Sequence, residues 1–254
     1  MTSRTHITAI TSGKGGVCKT FVSANLAAAL ARQGRRVLVL DADLGLANLD
    51  VVLNLYPKIT LHDVFTGKAT LAEALIPAPG GFHALLAGSG MVEYSRMTPE
   101  VREKLQQVIA EVAPRYDHVI LDTGAGISDV VLYTISLADD VIVIATPEPT
   151  SMTDAYATIK VLATTQNRRQ VQVLVNQARR PGEGRAVAQQ LQAVVARYVN
   201  PGLDSPVRVD LLGEVPADPA VRDAVIKRQL LLEMLPGTPA AVAVVAAATK
   251  MAAP

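Results

Sequence analysis

The sequence predicts an α/β fold: a doubly wound, mainly parallel sheet with helices on both faces. Three observations predict it. Short apolar runs alternate with longer segments of helical apolar spacing, and strands that alternate with helices are joined by crossovers, which makes them parallel. Half of the 254 residues are hydrophobic yet only 4% are aromatic, so Ala, Val and Leu form the core, as in buried parallel strands. A glycine-rich loop carrying Lys-Thr joins the first strand to the first helix.

In chain order, the first strand is expected at 7–11 and the first helix at 19–33. The second strand, 36–40, runs into Asp41. The stretch 56–94 carries no chemical mark. A helix is expected at 99–113, then a strand at 118–121 that ends on Asp122, then a helix at 128–137. The strand at 141–145 leads to a helix at 152–165, which Thr150, Ser151 and Asp154 are suited to cap. The strand at 171–175, the helix at 184–199 and the strand at 209–212 complete the sheet, and the Ala/Val tail at 239–251 reads as a helix packed on the core. Gly and Pro cluster at 77–81, 180–184 and 201–206, which read as loops within one domain spanning 1–254.

Charge excludes some functions. With 24 basic and 23 acidic residues the net charge is +1, which gives no reason to expect wholesale nucleic-acid binding. Arg168, Arg169, Arg179, Arg180 and Arg185 form a loose basic zone, read as a solvated face ahead of a DNA patch. The single Cys18 cannot form an internal disulfide and suits a reducing compartment. No leader precedes the first strand and no apolar run is long enough to span a bilayer, so the expected location is the cytoplasm. His6, His62, His83 and His118 lack ligand spacing, and no zinc site is expected.

The chemistry concentrates at strand ends. Ser12-Gly13-Lys14-Gly15-Gly16-Val17-Cys18-Lys19-Thr20 lies between strand and helix, where backbone N–H groups and a helix N-terminus wrap a phosphate chain. Lys19 reaches the phosphates and Thr20 ligates Mg²⁺, while Gly15 and Gly16 let the backbone approach closely. This makes the fold one of the P-loop NTPase type. Asp41 and Asp43 follow the second strand, and Asp122 ends an apolar strand before Gly124 and Gly126. Carboxylates at these edges hold Mg²⁺ or orient water.

Gly-Lys-Gly-Gly-x-x-Lys-Thr resembles the deviant Walker A loop of the MinD, ParA and nitrogenase-iron-protein superfamily. The resemblance implies that Lys14 crosses a homodimer interface to the partner's nucleotide, that Asp43 positions the attacking water and that Asp41 supports the Mg²⁺ site behind Thr20 and Asp122. It also implies that Asn176 and Pro216 bind adenine. Asp-Thr-Gly-Ala-Gly-Ile-Ser from Asp122 and the Glu148-Pro-Thr-Ser-Met-Thr-Asp-Ala-Tyr block are similar to the flagellar-number regulators FlhG and FleN. That relation implies an ATP- and Mg²⁺-dependent dimerising ATPase, slow and stimulated by a partner. The implied partners are the FlhF GTPase, a flagellar switch component or a flagellar transcription regulator, with recruitment to the pole or membrane through one of them. Two alternatives are a ParA-like partition ATPase and a non-hydrolysing interaction protein. Cys18 departs from the pattern, which has glycine there, and weakened ATP binding is one expected consequence. Few residues precede the first strand, so direct stimulation of FlhF is not expected. The tail carries one base, Lys250, and no large aromatic face, so autonomous membrane binding is not expected either.

Overall fold

In the computed structural model, residues 4–45, 47–88 and 96–252 are described. Leu46, three residues after Asp43, and 89–95, in and just beyond the unmarked stretch, lie outside them. The strands are β1 His6–Ser12, β2 Val37–Ala42, β3 Leu75–Pro77, β4 His83–Leu85, β5 His118–Ala125, β6 Asp140–Ala145, β7 Gln170–Ala178 and β8 Arg208–Pro216. They form one sheet in the order β3-β4-β2-β5-β1-β6-β7-β8. Every pairing is parallel except β3 with β4.

The helices are α1 Lys19–Arg32, α2 Leu49–Leu53, α3 Leu61–Phe65, α4 Leu71–Ala74, α5 Pro99–Val112, α6 Asp129–Ser136, α7 Pro149–Thr165, α8 Glu183–Tyr198, α9 Pro219–Lys227, α10 Leu231–Met234 and α11 Pro239–Met251. Alternate residues of the buried strands face opposite sides. Ala9, Leu38, Leu121 and Val143 pack with α5, α6, α7 and α8, while Ile10, Val39, Ile120 and Ile142 pack with α1 and α11. α1 is buried from Phe21 to Leu30 in all its residues. An Ala-rich helix suits that place, because small side chains let α11 lie close against it.

β1 is central, with β5 and β2 on one side and β6, β7 and β8 on the other. The chain thus changes direction across the sheet beside β1, and the crevice at the carboxyl ends of the strands there is where such sheets bind ligands. Several expected bounds need correction. β5 runs past Asp122 to Ala125, and β7 and β8 extend to Ala178 and Pro216, so Asp122, Asn176 and Pro216 lie within strands. β3 and β4 fall in the stretch read as unmarked. α7 begins at Pro149, ahead of the expected 152, because proline is favoured in a helix's first turn. Arg36 lies outside β2; its side chain instead pairs with Asp117.

Candidate functional site

The loop after β1 is placed by a close approach. A Cβ on Gly13 would stand 2.2 Å from the Asp154 carbonyl oxygen on α7, so only glycine lets the loop lie against that helix. The loop ends at Cys18, which occupies the N-cap of α1 with φ 64° and ψ 35°. This left-handed backbone costs a residue bearing a Cβ on the order of 1–2 kcal/mol. The sequence reading located the departure at Cys18 in the bulk of its side chain; the structure adds the backbone conformation as the reason glycine suits this position. No side chain caps α1, which leaves the N–H groups of its first turn for an anion.

Lys19 begins α1 beneath the loop. Its Nζ lies 3.5 Å from Asp122 Oδ1, with side chains 10% and 2% exposed. Ser23, one turn on and fully buried, donates to the same carboxylate oxygen at 2.9 Å. Sequence reasoning missed Ser23, since nothing local marks a serine within a helix. Asp41 and Asp122 are register partners on β2 and β5. Asp41 accepts from the Asp43 and Leu49 backbone N–H groups, both at 3.2 Å. Burial, together with the Asp122 charge, pushes the Asp41 pKa up to about 8.

These residues fit a hard divalent cation. Thr20, Asp122 and Asp41 offer oxygen donors only, as Mg²⁺ prefers, and the two carboxylates are buried on neighbouring strands with Lys19 beside Asp122. Among the described residues no group of three or more His, Cys, Asp or Glu is arranged to hold a metal.

Asp43 follows β2. A Cβ on Gly124, near the end of β5, would lie 3.3 Å from its carboxylate, so the two segments touch there. Asp43, Gly124 and Gly15 line one cavity of about 570 Å³. Lys14 turns away from it: its Nζ bonds Glu148 Oε2 at 3.0 Å and Thr150 Oγ1 at 3.1 Å. The sequence suits Thr150, Ser151 and Asp154 to cap the helix, but all three lie inside α7, which begins at Pro149. Glu148 holds the N-cap position without a capping bond, and Ser151 Oγ accepts from the Thr146 N–H at 3.0 Å.

A second cavity of about 790 Å³ opens beyond the loop, with Cys18, Asn176, Pro216, Arg179 and the α9 residues Val221 and Ile226 on its walls. Asn176 is also tied elsewhere: Nδ2 donates to the Val17 carbonyl at 3.0 Å and Oδ1 accepts from Gln177 N–H at 2.9 Å. One N–H and one lone pair remain for a ligand. The α9 wall was not legible, because a nine-residue helix after a loop gives little periodic signal. Of the basic zone, Arg179, Arg180 and Arg185 are exposed, as expected of a solvated face, while Arg168 and Arg169 are half-buried. Arg168 donates to the Asp139, Ala138 and Ile135 carbonyls, and Arg169 to the Ala163 carbonyl and the Ser205 hydroxyl.

A family model described as the CobQ/CobB/MinD/ParA nucleotide binding domain matches residues 8–231. The chain is 41% identical over 246 residues to the antiactivator FleN of Pseudomonas aeruginosa, covering 97% of this chain and 86% of that one. It is 33% identical to the flagellum site-determining protein YlxH of Helicobacter pylori, covering 91% and 76%. Its fold superposes with a TM-score of 0.79 on the septum site-determining protein MinD of Pyrococcus horikoshii, solved with Mg-ADP, at 27% identity and covering 98% and 96% of the two chains.

Proposed function

Because the chain belongs to the CobQ/CobB/MinD/ParA family of nucleotide binding domains, we propose that it is a Mg²⁺-dependent ATPase switch that acts in the control of flagellar number or placement. Its ATP-bound form is a homodimer, and its hydrolysis is slow and stimulated by a partner. The observation that carries this reading is a loop with two lysines in unlike places, Lys19 buried beside Asp122 and Lys14 at the surface, in a chain similar to FleN along nearly its whole length.

Lys19 and the loop N–H groups hold the β- and γ-phosphates. Thr20 and Asp122 would hold Mg²⁺, with Asp41 behind them, and a bound ion would supply charge against that of the phosphates. Asp43, beside Gly124, orients the attacking water. Lys14 leaves Glu148 and Thr150 to reach the nucleotide of the second subunit, which adds positive charge to the transition state. Asn176 and Pro216 border the base. The partner is a GTPase of the FlhF type, a flagellar switch component or a flagellar transcription regulator. The protein works in the cytoplasm and reaches the pole or membrane through that partner. No helix among the described residues is long and apolar enough to cross a membrane.

A partition-type reading needs a basic face for DNA; Arg168 and Arg169 are engaged with carbonyl groups, which leaves the exposed Arg179, Arg180 and Arg185 to form it. Asp43→Ala tests the proposal. With binding groups intact and the water no longer oriented, the variant accumulates as a dimer with Mg-ATP and releases phosphate at least about a hundredfold more slowly. Chromatographic mass and phosphate release measure both. A variant that stays monomeric, or turns over at the parental rate, refutes the assignment.

A further inference from the structure

Left-handed backbone at a residue with a Cβ persists only where its surroundings over-determine it. Cys18 is such a residue, where the phosphate loop meets α1, and its holding contacts come from the end of β7. Asn176 is 4% exposed and donates to the carbonyl of Val17, the peptide immediately before Cys18, at 3.0 Å. Its carboxamide oxygen is fixed in turn by the Gln177 N–H. Gln177 is itself left-handed, with φ 59°, and places its Nε2 3.8 Å from Cys18 Sγ. Burial pushes the Cys18 thiol pKa up, so the sulfur remains a neutral acceptor for that contact. Asn176, Gln177 and Cys18 all line the 790 Å³ cavity beside the loop.

We infer that Asn176 and Gln177 are positioning residues that clamp the phosphate loop through Cys18, so that the base-side cavity and the phosphate loop of this chain form one mechanical unit. A loop with glycine at this position adopts φ near 64° without strain and needs no such clamp. Here, release of the clamp lets Cys18 relax to negative φ, and a phosphate chain must then rebuild the loop before it binds. Asn176 therefore acts on phosphate binding as well as on the base. The inference rests on the nucleotide reading above.

The test uses a ligand with no base. Mg-tripolyphosphate and Mg-ADP are titrated calorimetrically against the parent, Asn176→Ala, Cys18→Gly and the double variant. Asn176→Ala weakens tripolyphosphate binding by about tenfold or more in the parent, and by less than about threefold when Cys18 is already glycine. Amide hydrogen exchange at 17–19 in the ligand-free protein rises with Asn176→Ala and returns toward the parental level in the double variant. Gln177→Gly, at an exposed position where glycine keeps the left-handed turn, raises the same exchange without threatening the fold. If Asn176→Ala weakens Mg-ADP yet leaves tripolyphosphate unchanged, Asn176 only reads the base and the clamp is refuted. An equal loss in both backgrounds also refutes it, since the coupling to Cys18 is then absent. A parent that binds neither ligand overturns the nucleotide reading and the clamp together.

Discussion

Lys19 is 10% exposed and sits 3.5 Å from the buried Asp122, whereas Lys14 is 39% exposed and ion-paired with an exposed glutamate. The same side chain therefore has two different energetic roles on one loop. Removing the Lys19 ammonium leaves Asp122 beside Asp41 with less compensating charge, and an uncompensated buried carboxylate costs several kcal/mol, about 3–5 in comparable cases. An exposed pair such as Lys14–Glu148 contributes about 0–1 kcal/mol. Lys19→Ala is expected to lower the Tm and to abolish Mg-ADP binding. Lys14→Ala is expected to leave both near parental values while it weakens ATP-dependent dimerisation. Calorimetric titration and thermal melting of both variants decide this. Equal losses of nucleotide affinity in the two would rule out separate roles. Lys19, Thr20, Asp43 and Asp122 were legible in the sequence because each is part of a contiguous motif in or just after a short apolar run. Ser23 beside Asp122, and Glu148 and Thr150 beside Lys14, were not, because those contacts join segments far apart in the chain.

Elements carry the site to its place, and two of their contacts have measurable consequences. The first is between the phosphate loop and α7. A methyl group on Gly13 would overlap the Asp154 carbonyl carbon and oxygen, at 2.3 and 2.2 Å, and backbone there cannot yield as a side-chain tip does. Gly13→Ala must push the loop off α7 and disturb the Lys14 contacts with Glu148 and Thr150. We expect a stability loss of about 1–3 kcal/mol and at least about a tenfold weaker Mg-ADP affinity, read by urea unfolding and titration; parental values in both would show that loop and helix separate freely. The second contact ties the start of β2 to the start of β5. Asp117 accepts from the Arg36 backbone N–H at 2.8 Å and from its guanidinium at 2.7 Å. These bonds hold the Asp117 pKa down to about 2. A carboxylate depressed in the folded state stabilises it above the ordinary carboxylate range, and the gain is lost as pH falls through about 2. Asp117→Asn is therefore expected to be less stable than the parent at pH 7 and to converge with it as the pH falls from about 5 to 2. A gap that stays constant across that range would contradict the linkage. The long elements were legible because their apolar spacing repeats over many residues. β3 and β4, three residues each, and α10, four, are too short to show a period, and tertiary pairing rather than local pattern makes them.

At the scale of the whole molecule, α11 decides whether the protein can dock on a lipid surface unaided. Its Ala240, Ala241, Val244, Ala247 and Ala248 are buried against α1 and β8, each at most 1% exposed. Lys250, the basic residue of its last turn, donates to the Leu212 carbonyl at 2.7 Å and is drawn toward the sheet. The large apolar residues that face outward are Val242 and Val245, 58% and 38% exposed, beside the exposed Ala246, Thr249 and Lys250. Interfacial helices bind through a broad apolar face with bulky side chains and basic flanks, and stable anchoring takes two such signals. Two valines provide too little apolar area, and α11 cannot turn its other face outward without uncovering α1. The chain is therefore expected not to sediment with phosphatidylglycerol vesicles, with or without Mg-ATP. Deleting α11 would be an ambiguous control, since it strips part of the core. Val242→Glu and Val245→Glu change only the outward face, and both are expected to keep the parental Tm and the parental lack of sedimentation. Sedimentation of the parent that rises with ATP and disappears in Val242→Glu would overturn this, and would make α11 itself the membrane-docking element.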